Sequence, residues 1–270
     1  MNTFMRYTFA LTFIVLVTAG RLSFAEDKKD GKNAPRITAI SPLAIEASTK
    51  STLRLRGFKL DTATDVKLVE PSLAKDACTI TLKSKGKADG TRDDKTKDFG
   101  DTQVEIELTL SKDFPPGTES LGLAVVTPDG ETPARPVRIL ARGTLIDEKE
   151  PNGGLRAAQS NSVADKPVFI RGAIGEEKDV DVFRVAGKAG QSLHAKVFAE
   201  RYASLLDGSL TIYDAHGHVL ASADDGTAGR DPAIDFQIPA DGDYFIALID
   251  AHDRGGATSH PYILELRFSR

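Results

Sequence analysis

Along most of its length the chain sets short runs of β-type residues between turn residues, and in the clearest of these runs apolar and polar residues alternate with a period of two. Residues 103–110 show this most plainly. Val104, Ile106, Leu108 and Leu110 fall on one face and Glu105, Glu107 and Thr109 on the other, the pattern of a strand with one buried side. Similar runs at 36–40, 52–56, 65–69, 78–82, 121–127 and 136–140, separated by Pro, Gly and polar clusters, predict a first β-sandwich over residues 35–142. A second set at 167–174, 180–185, 192–199, 209–213, 219–222, 233–238, 244–249 and 261–268 predicts eight strands over 143–270, a sandwich or jelly roll. No stretch has the spacing of a long amphipathic helix; residues 199–206 suit one helical turn or a loop. Residues 83–101 (KSKGKADGTRDDKTKDFGD) are polar and of mixed charge, and are expected to form a long solvated hairpin loop. The expected fold class is all-β, two tandem β-sandwiches.

The N-terminus breaks the alternation. Residues 7–20 (YTFALTFIVLVTAG) are apolar and uncharged, follow Arg6, and lead to small residues at Ser23 and Ala25. This is the three-part pattern of a signal peptide, and the run is short for a membrane span, which takes about 20 residues. Cleavage is expected after Ala25, with residues 26–34 a flexible leader. No Cys stands near that point, so a lipid anchor is not expected. Export of this kind places the chain outside the cell or in the periplasm, with no membrane partner after processing.

Composition changes the picture little. The chain has 270 residues, 27% of them charged, and a formal charge of −4 that becomes −6 once Arg6 and Arg21 are removed. Acidic and basic residues are interspersed, without the basic face that nucleic acid requires. The single cysteine, Cys78, cannot form an internal disulfide; it lies in a period-2 run and reads as a buried structural thiol. No H-E-x-x-H, G-x-S-x-G or Walker-type motif occurs. His216 and His218 fall in a Asp-x-x-Gly turn and are expected to be exposed.

Candidate chemistry concentrates at the start of the second half. Glu148, Glu150 and Asn152 occupy alternate positions, so in an extended segment their side chains point the same way. Asp179 and Asp181 repeat that spacing. Together the two segments offer four carboxylates and one amide. Four bare carboxylates at one place repel, so either solvent separates them or a cation joins them. Calcium takes six to eight oxygen ligands, several of them carboxylate. A plainer reading has Asn152 in an Asx turn and the two aspartates as solvated loop acids.

Two resemblances follow from motifs. Ile37-Thr38-Ala39-Ile40-Ser41-Pro42, with Leu53-Arg54-Leu55-Arg56-Gly57-Phe58 and Pro128-Asp129-Gly130, resembles the immunoglobulin-like IPT/TIG domains, although residues 43–50 lack the usual Gly-rich turn. In the second half, the series Glu148–Asn152, Gly172-Ala173-Ile174, Asp179–Phe183, Gly190-Gln191-Ser192-Leu193, Leu210–Asp214, Asp224-Asp225-Gly226, Gly242–Ile246 and Pro261–Leu264 resembles the bacterial pre-peptidase C-terminal domain over residues 148–266, in particular the collagen-binding domains of clostridial collagenases. That resemblance implies a non-catalytic sandwich and Ca2+ held by Glu148, Glu150, Asn152, Asp179 and Asp181. Gly153 replaces a ligand-capable residue of those relatives, which points to one ion, or weaker binding, rather than the full two-ion site. Collagen binding does not carry over, since it relies on exposed aromatics and this chain has no Trp; Tyr202 is the aromatic expected to be most exposed.

The reading that follows is a secreted, non-catalytic binding protein, calcium-stabilised, attaching to an extracellular polymer or protein. Two alternatives stand beside it: an accessory subunit acting in trans with a secreted protease, and an unrecognised hydrolase.

Overall fold

The computed structural model of the chain describes residues 34–270 apart from 48, 70–76, 89–98, 113, 116, 141–143, 165, 227–228 and 257–258. The expected signal peptide and nearly all of the leader lie outside the described residues. No helix among those described is long and apolar enough to cross a membrane.

The first half contains β1 (Arg36–Ser41), β2 (Ala44–Glu46), β3 (Lys50–Phe58), β4 (Asp65–Leu68), β5 (Cys78–Lys87), β6 (Thr102–Leu110), β7 (Ser120–Thr127), β8 (Gly130–Glu131) and β9 (Arg135–Leu140). Two sheets, β1-β3-β6-β5 and β2-β9-β7-β4, form a sandwich, with β8 pairing on β7. This is the immunoglobulin strand order, with the first strand divided between the sheets as β1 and β2. Alternation decides what goes inside. Val104, Ile106 and Leu108 of β6 and Leu53 and Leu55 of β3 are fully buried, and pack in one cluster with Leu121, Leu123, Val125 and Val137. Cys78 is half-buried against that cluster, and burial pushes its thiol up to about 11.

The polar stretch from Lys83 departs from expectation. β5 continues to Lys87, pairing Ser84–Lys87 with Glu105–Thr102 of β6 after a register shift beyond Leu82. Backbone hydrogen bonding extends the strand although most of its side chains there face water. Phe99, near the end of the same stretch, is buried.

The second half contains β10 (Leu145–Asp147), β11 (Gln159–Ser160), β12 (Val168–Ala173), β13 (Val180–Gly187), β14 (Ser192–Phe198), β15 (Gly208–Tyr213), β16 (Val219–Ala223), β17 (Ala233–Gln237), β18 (Gly242–Asp250) and β19 (Pro261–Ser269), with one 3-10 turn, Glu200–Tyr202. The sheets are β10-β12-β19-β14-β17 and β11-β13-β18-β15-β16. Strands β12 to β19 are thus a jelly roll of two four-stranded sheets. β10 and β11 add in parallel at one edge of each sheet. The core holds Phe183, Val185, Leu193, Val197, Leu210, Ile212, Ile246, Leu248, Tyr262 and Leu264. A smaller cluster covers the outer face of the second sheet, where Leu155 and Ala158 of the β10–β11 connection lie over Val182, Tyr213, Phe245 and Ala247.

The two sandwiches share a further apolar cluster. Leu43, Ala44 and Leu140 of the first meet Phe169, Phe198, Tyr202 and Ile263 of the second. The Arg138 guanidinium lies 3.8 Å from the centre of the Phe198 ring and 5.1 Å from that of Phe169. Hydrogen bonds across the junction include Arg171 Nη1 to the Ala44 carbonyl (3.1 Å) and the Leu145 N–H to Glu46 Oε1 (3.1 Å). Tyr202 is therefore only 7% exposed, contrary to its expected place on the surface. The 3-10 turn directs its ring into the junction, where burial raises the phenol above its ordinary value.

Candidate metal centre

The acidic segments occupy the end of the second sandwich where the chain enters it. β10 ends at Asp147, and Glu148 follows with its N–H on the Arg171 carbonyl (3.0 Å), so pairing with β12 continues one residue further. Its carboxylate turns inward, where Oε2 accepts the Ala173 N–H (3.0 Å) and Oε1 accepts Asn152 Nδ2 (2.9 Å). Glu150 Oε2 accepts the Asn152 N–H (2.8 Å), and the Glu150–Pro151 peptide is cis. From β13, Asp181 enters from the opposite sheet.

Tyr262 of β19 links these parts. Its hydroxyl lies 2.9 Å from Glu148 Oε1 and 2.7 Å from Asp181 Oδ2. In the register of β12 and β19, Gly172 stands opposite Tyr262. A Cβ at Gly172 would overlap both Glu148 Oε2 and the Tyr262 phenol, so the pocket for these groups exists because residue 172 has no side chain.

Glu148, Glu150 and Asp181 each place a carboxylate oxygen within 4.8 Å of the others. Asn152 and Asp181 are both fully buried, at 0% exposure. Asn152 Oδ1 and Asp181 Oδ1 have no hydrogen-bond partner among the described residues. Buried polar atoms are ordinarily paired, so two such oxygens beside two further carboxylates form an incomplete set. Burial first, then the negative charge of Glu148, pushes Asp181 up to about 9. Tyr262 is raised well above its ordinary value, by burial and then by the charges of Asp181 and Glu148. The phenol has one proton for two acceptors. The set balances when Asp181 holds a proton and donates it to Tyr262 Oη while Tyr262 donates to Glu148. A divalent cation in place of that proton would also satisfy the two unpaired oxygens, so the donor set, hard oxygen throughout, suits calcium.

Four of the five residues expected to hold a metal are thus drawn together: Glu148, Glu150, Asn152 and Asp181. Asp179 stands outside the group of three carboxylates. Its Oδ2 accepts the Gly175 N–H (2.6 Å), which fixes the turn before β13, and its charge adds to the upward push on Asp181. Tyr262 was not expected to take part. A tyrosine inside an apolar strand brings a hydroxyl that needs a partner once buried, and that was the available signal.

Two Ser–His–Asp sets also occur. His194 Nδ1 lies 2.5 Å from Asp235 Oδ1 and its Nε2 2.7 Å from Ser269 Oγ, across three neighbouring strands, but the Asp235 side chain is 82% exposed, so water screens its charge. Ser259 Oγ lies 2.8 Å from His260 Nδ1, whose Nε2 is 3.7 Å from Asp250 Oδ2; all three residues are buried and Ser259 donates to the Gly256 carbonyl. Both sets have a structural account, a cross-strand chain in one case and a buried loop brace in the other.

Comparison with known proteins bears on the second half of the chain. Residues 179–249 match the family model of the bacterial pre-peptidase C-terminal domain. A probable subtilase-type serine protease of Deinococcus radiodurans is 36% identical over 115 residues, 41% of this chain; the match spans only 16% of that protease. Among solved structures, the pre-peptidase C-terminal domain of collagenase from Bacillus anthracis is 12% identical, with 42% of this chain and 94% of that one covered and a TM-score of 0.31. The periplasmic inhibitor of g-type lysozyme from Aeromonas hydrophila is 16% identical, with 42% and 99% covered and a TM-score of 0.29.

Proposed function

We propose that this chain, whose second sandwich carries a pre-peptidase C-terminal domain, is an exported, non-catalytic binding protein. Its second domain is held in shape by one calcium ion at Glu148, Glu150, Asn152 and Asp181. The observation that carries this reading is the pair of buried, unpaired oxygens on Asn152 and Asp181 beside two more carboxylates. When bound, the ion supplies positive charge to an acidic cluster that is otherwise quiet only while Asp181 stays protonated. The chain's own groups do the rest: Ala173 N–H and Tyr262 orient Glu148, and Asn152 ties Glu148 to Glu150. A role alongside a separate secreted protease is a second reading, favoured by the 36% identity to a segment of a probable subtilase-type protease. The target is an extracellular polymer or protein.

Thermal unfolding of the full chain in EDTA, in calcium and in magnesium tests the site. Extracellular calcium modules bind at about 10⁻⁴–10⁻³ M, and saturation to ten times Kd stabilises by about 1.4 kcal/mol. We expect a calcium-selective rise in Tm that is lost in Glu150→Gln/Asp181→Asn, while the EDTA value of that variant holds or rises, because Asn mimics a protonated Asp without having to take up a proton. No calcium-selective shift would overturn the site. Calcium-dependent co-sedimentation with protein or polysaccharide fibres tests the binding role, and turnover of those fibres by the purified chain would overturn the non-catalytic reading.

A further inference from the structure

We propose that the turn between β15 and β16, Asp214-Ala215-His216-Gly217-His218, is a surface site for a borderline divalent cation of the Cu(II), Ni(II) or Zn(II) class, separate from the oxygen-only centre above. The turn is closed on itself. The Asp214 N–H donates to the His218 carbonyl (3.1 Å) and the Gly217 N–H to the Asp214 carbonyl (3.1 Å), with Gly217 at φ 84°, in the left-handed region that glycine favours. Asp214 Oδ1 accepts the N–H groups of both His216 (2.8 Å) and His218 (2.9 Å), so the carboxylate is fixed before any ion arrives.

Its other oxygen faces two imidazoles. Asp214 Oδ2 is 2.9 Å from His218 Nδ1 and 3.8 Å from His216 Nδ1, and the two rings stack with centroids 5.9 Å apart. One ligand atom from each of the three residues falls within 4.8 Å of the others. The histidine side chains are 80% and 75% exposed, so an ion reaches them without opening the fold. Leu155 lies beside the turn, close enough that a Cβ added at Gly217 would meet its Cδ1 at 3.4 Å. An Asp-led turn explains Asp214 and Gly217 without any ion. It does not call for imidazole at both 216 and 218, and two imidazoles with one carboxylate are a donor set for Cu, Ni and Zn rather than for calcium or magnesium.

The test is titration of the full chain, with calcium present in excess, by Cu(II) and then Zn(II), followed by calorimetry and by electron paramagnetic resonance of the Cu(II) form. The expected result is one strong site with two nitrogen ligands in the resonance spectrum. Its affinity should fall by about tenfold or more in His216→Gln/His218→Gln, and persist in His194→Gln/His252→Gln. Equal affinity in wild type and the first variant would overturn the proposal. So would a wild-type Cu(II) spectrum without two nitrogen ligands, a reading that does not depend on how any variant folds.

Discussion

At Tyr262 a single phenolic proton serves two carboxylates, and its effects can be separated by substitution. Tyr262→Phe takes the hydroxyl partner from Asp181 Oδ2 and one of two partners from Glu148 Oε1 in a dry site, at a cost of about 1–3 kcal/mol in the calcium-free protein by urea unfolding. Gly172→Ala, which forces a methyl group into Glu148 and Tyr262, should cost about as much and also blunt the calcium response. The pH dependence follows from Asp181. Folding lifts its carboxyl to about 9 from an ordinary 3.8. The folded, calcium-free chain therefore keeps a proton that the unfolded chain releases, and stability falls as pH rises from about 4 towards 9. Tm measured in EDTA should decline across that interval and flatten in Asp181→Asn. At Cys78 the thiol raised to about 11 leaves a thiolate fraction at pH 8 about a hundredfold below that of a free cysteine. Labelling by a thiol reagent should be slow in the native protein and fast in urea. The alternate spacing of Glu148, Glu150 and Asn152 was legible in the chain, because an extended segment makes it geometric. The partnership with Tyr262 was not, since it depends on which strand crosses the sandwich to face residue 181.

At the level of elements, fifteen of the nineteen strands among the described residues coincide with the short β-type runs of the sequence, because each has at least one face against a core. The four exceptions were hidden for a common reason. β2, β8, β10 and β11 are two or three residues long and sit at edges, where backbone pairing rather than apolar alternation defines the strand. The added length of β5 beyond Leu82 has the same origin. Segment 148–158 has few backbone hydrogen bonds of its own, yet it carries Leu155 and Ala158 onto Val182 and Phe245. Its shape depends on side chains at both ends, the carboxylate cluster at one and this small apolar patch at the other. A cation at Glu148 and Glu150, as proposed, would therefore act on stability through this segment although the surrounding jelly roll has a core of its own.

For the molecule as a whole, the junction decides whether there are two independent sandwiches or one unit. Phe169, Phe198 and Tyr202 bury against Leu43, Ala44 and Leu140, and Arg138 lies over two of the rings. Buried cation–aromatic contacts contribute about 2 kcal/mol. Calorimetry of the wild type should give one cooperative transition, and Arg138→Ala with Phe198→Ala should split it into two, of which only the upper or the lower responds to calcium. A single transition in that variant would mean the sandwiches are coupled elsewhere. None of this was visible in the linear pattern. Tyr202, in a polar stretch between strands, carried the composition of a surface contact, and only the arrival of the first sandwich over it makes it interior.

The pairing of β2 with β9 has a mechanical consequence. The two strands run parallel, with Ala44 beside Arg138, Ile45 beside Ile139 and Glu46 beside Leu140, and the Arg138 and Ala47 N–H groups extend the ladder to the Leu43 and Leu140 carbonyls. They lie near the two ends of the first sandwich. Tension applied between those ends slides one strand along the other, so the rungs are loaded together in shear instead of being peeled off one at a time. Once the chain is gripped within β2 and beyond β9, the first sandwich should therefore resist extension through this ladder more than an antiparallel pair of the same length would.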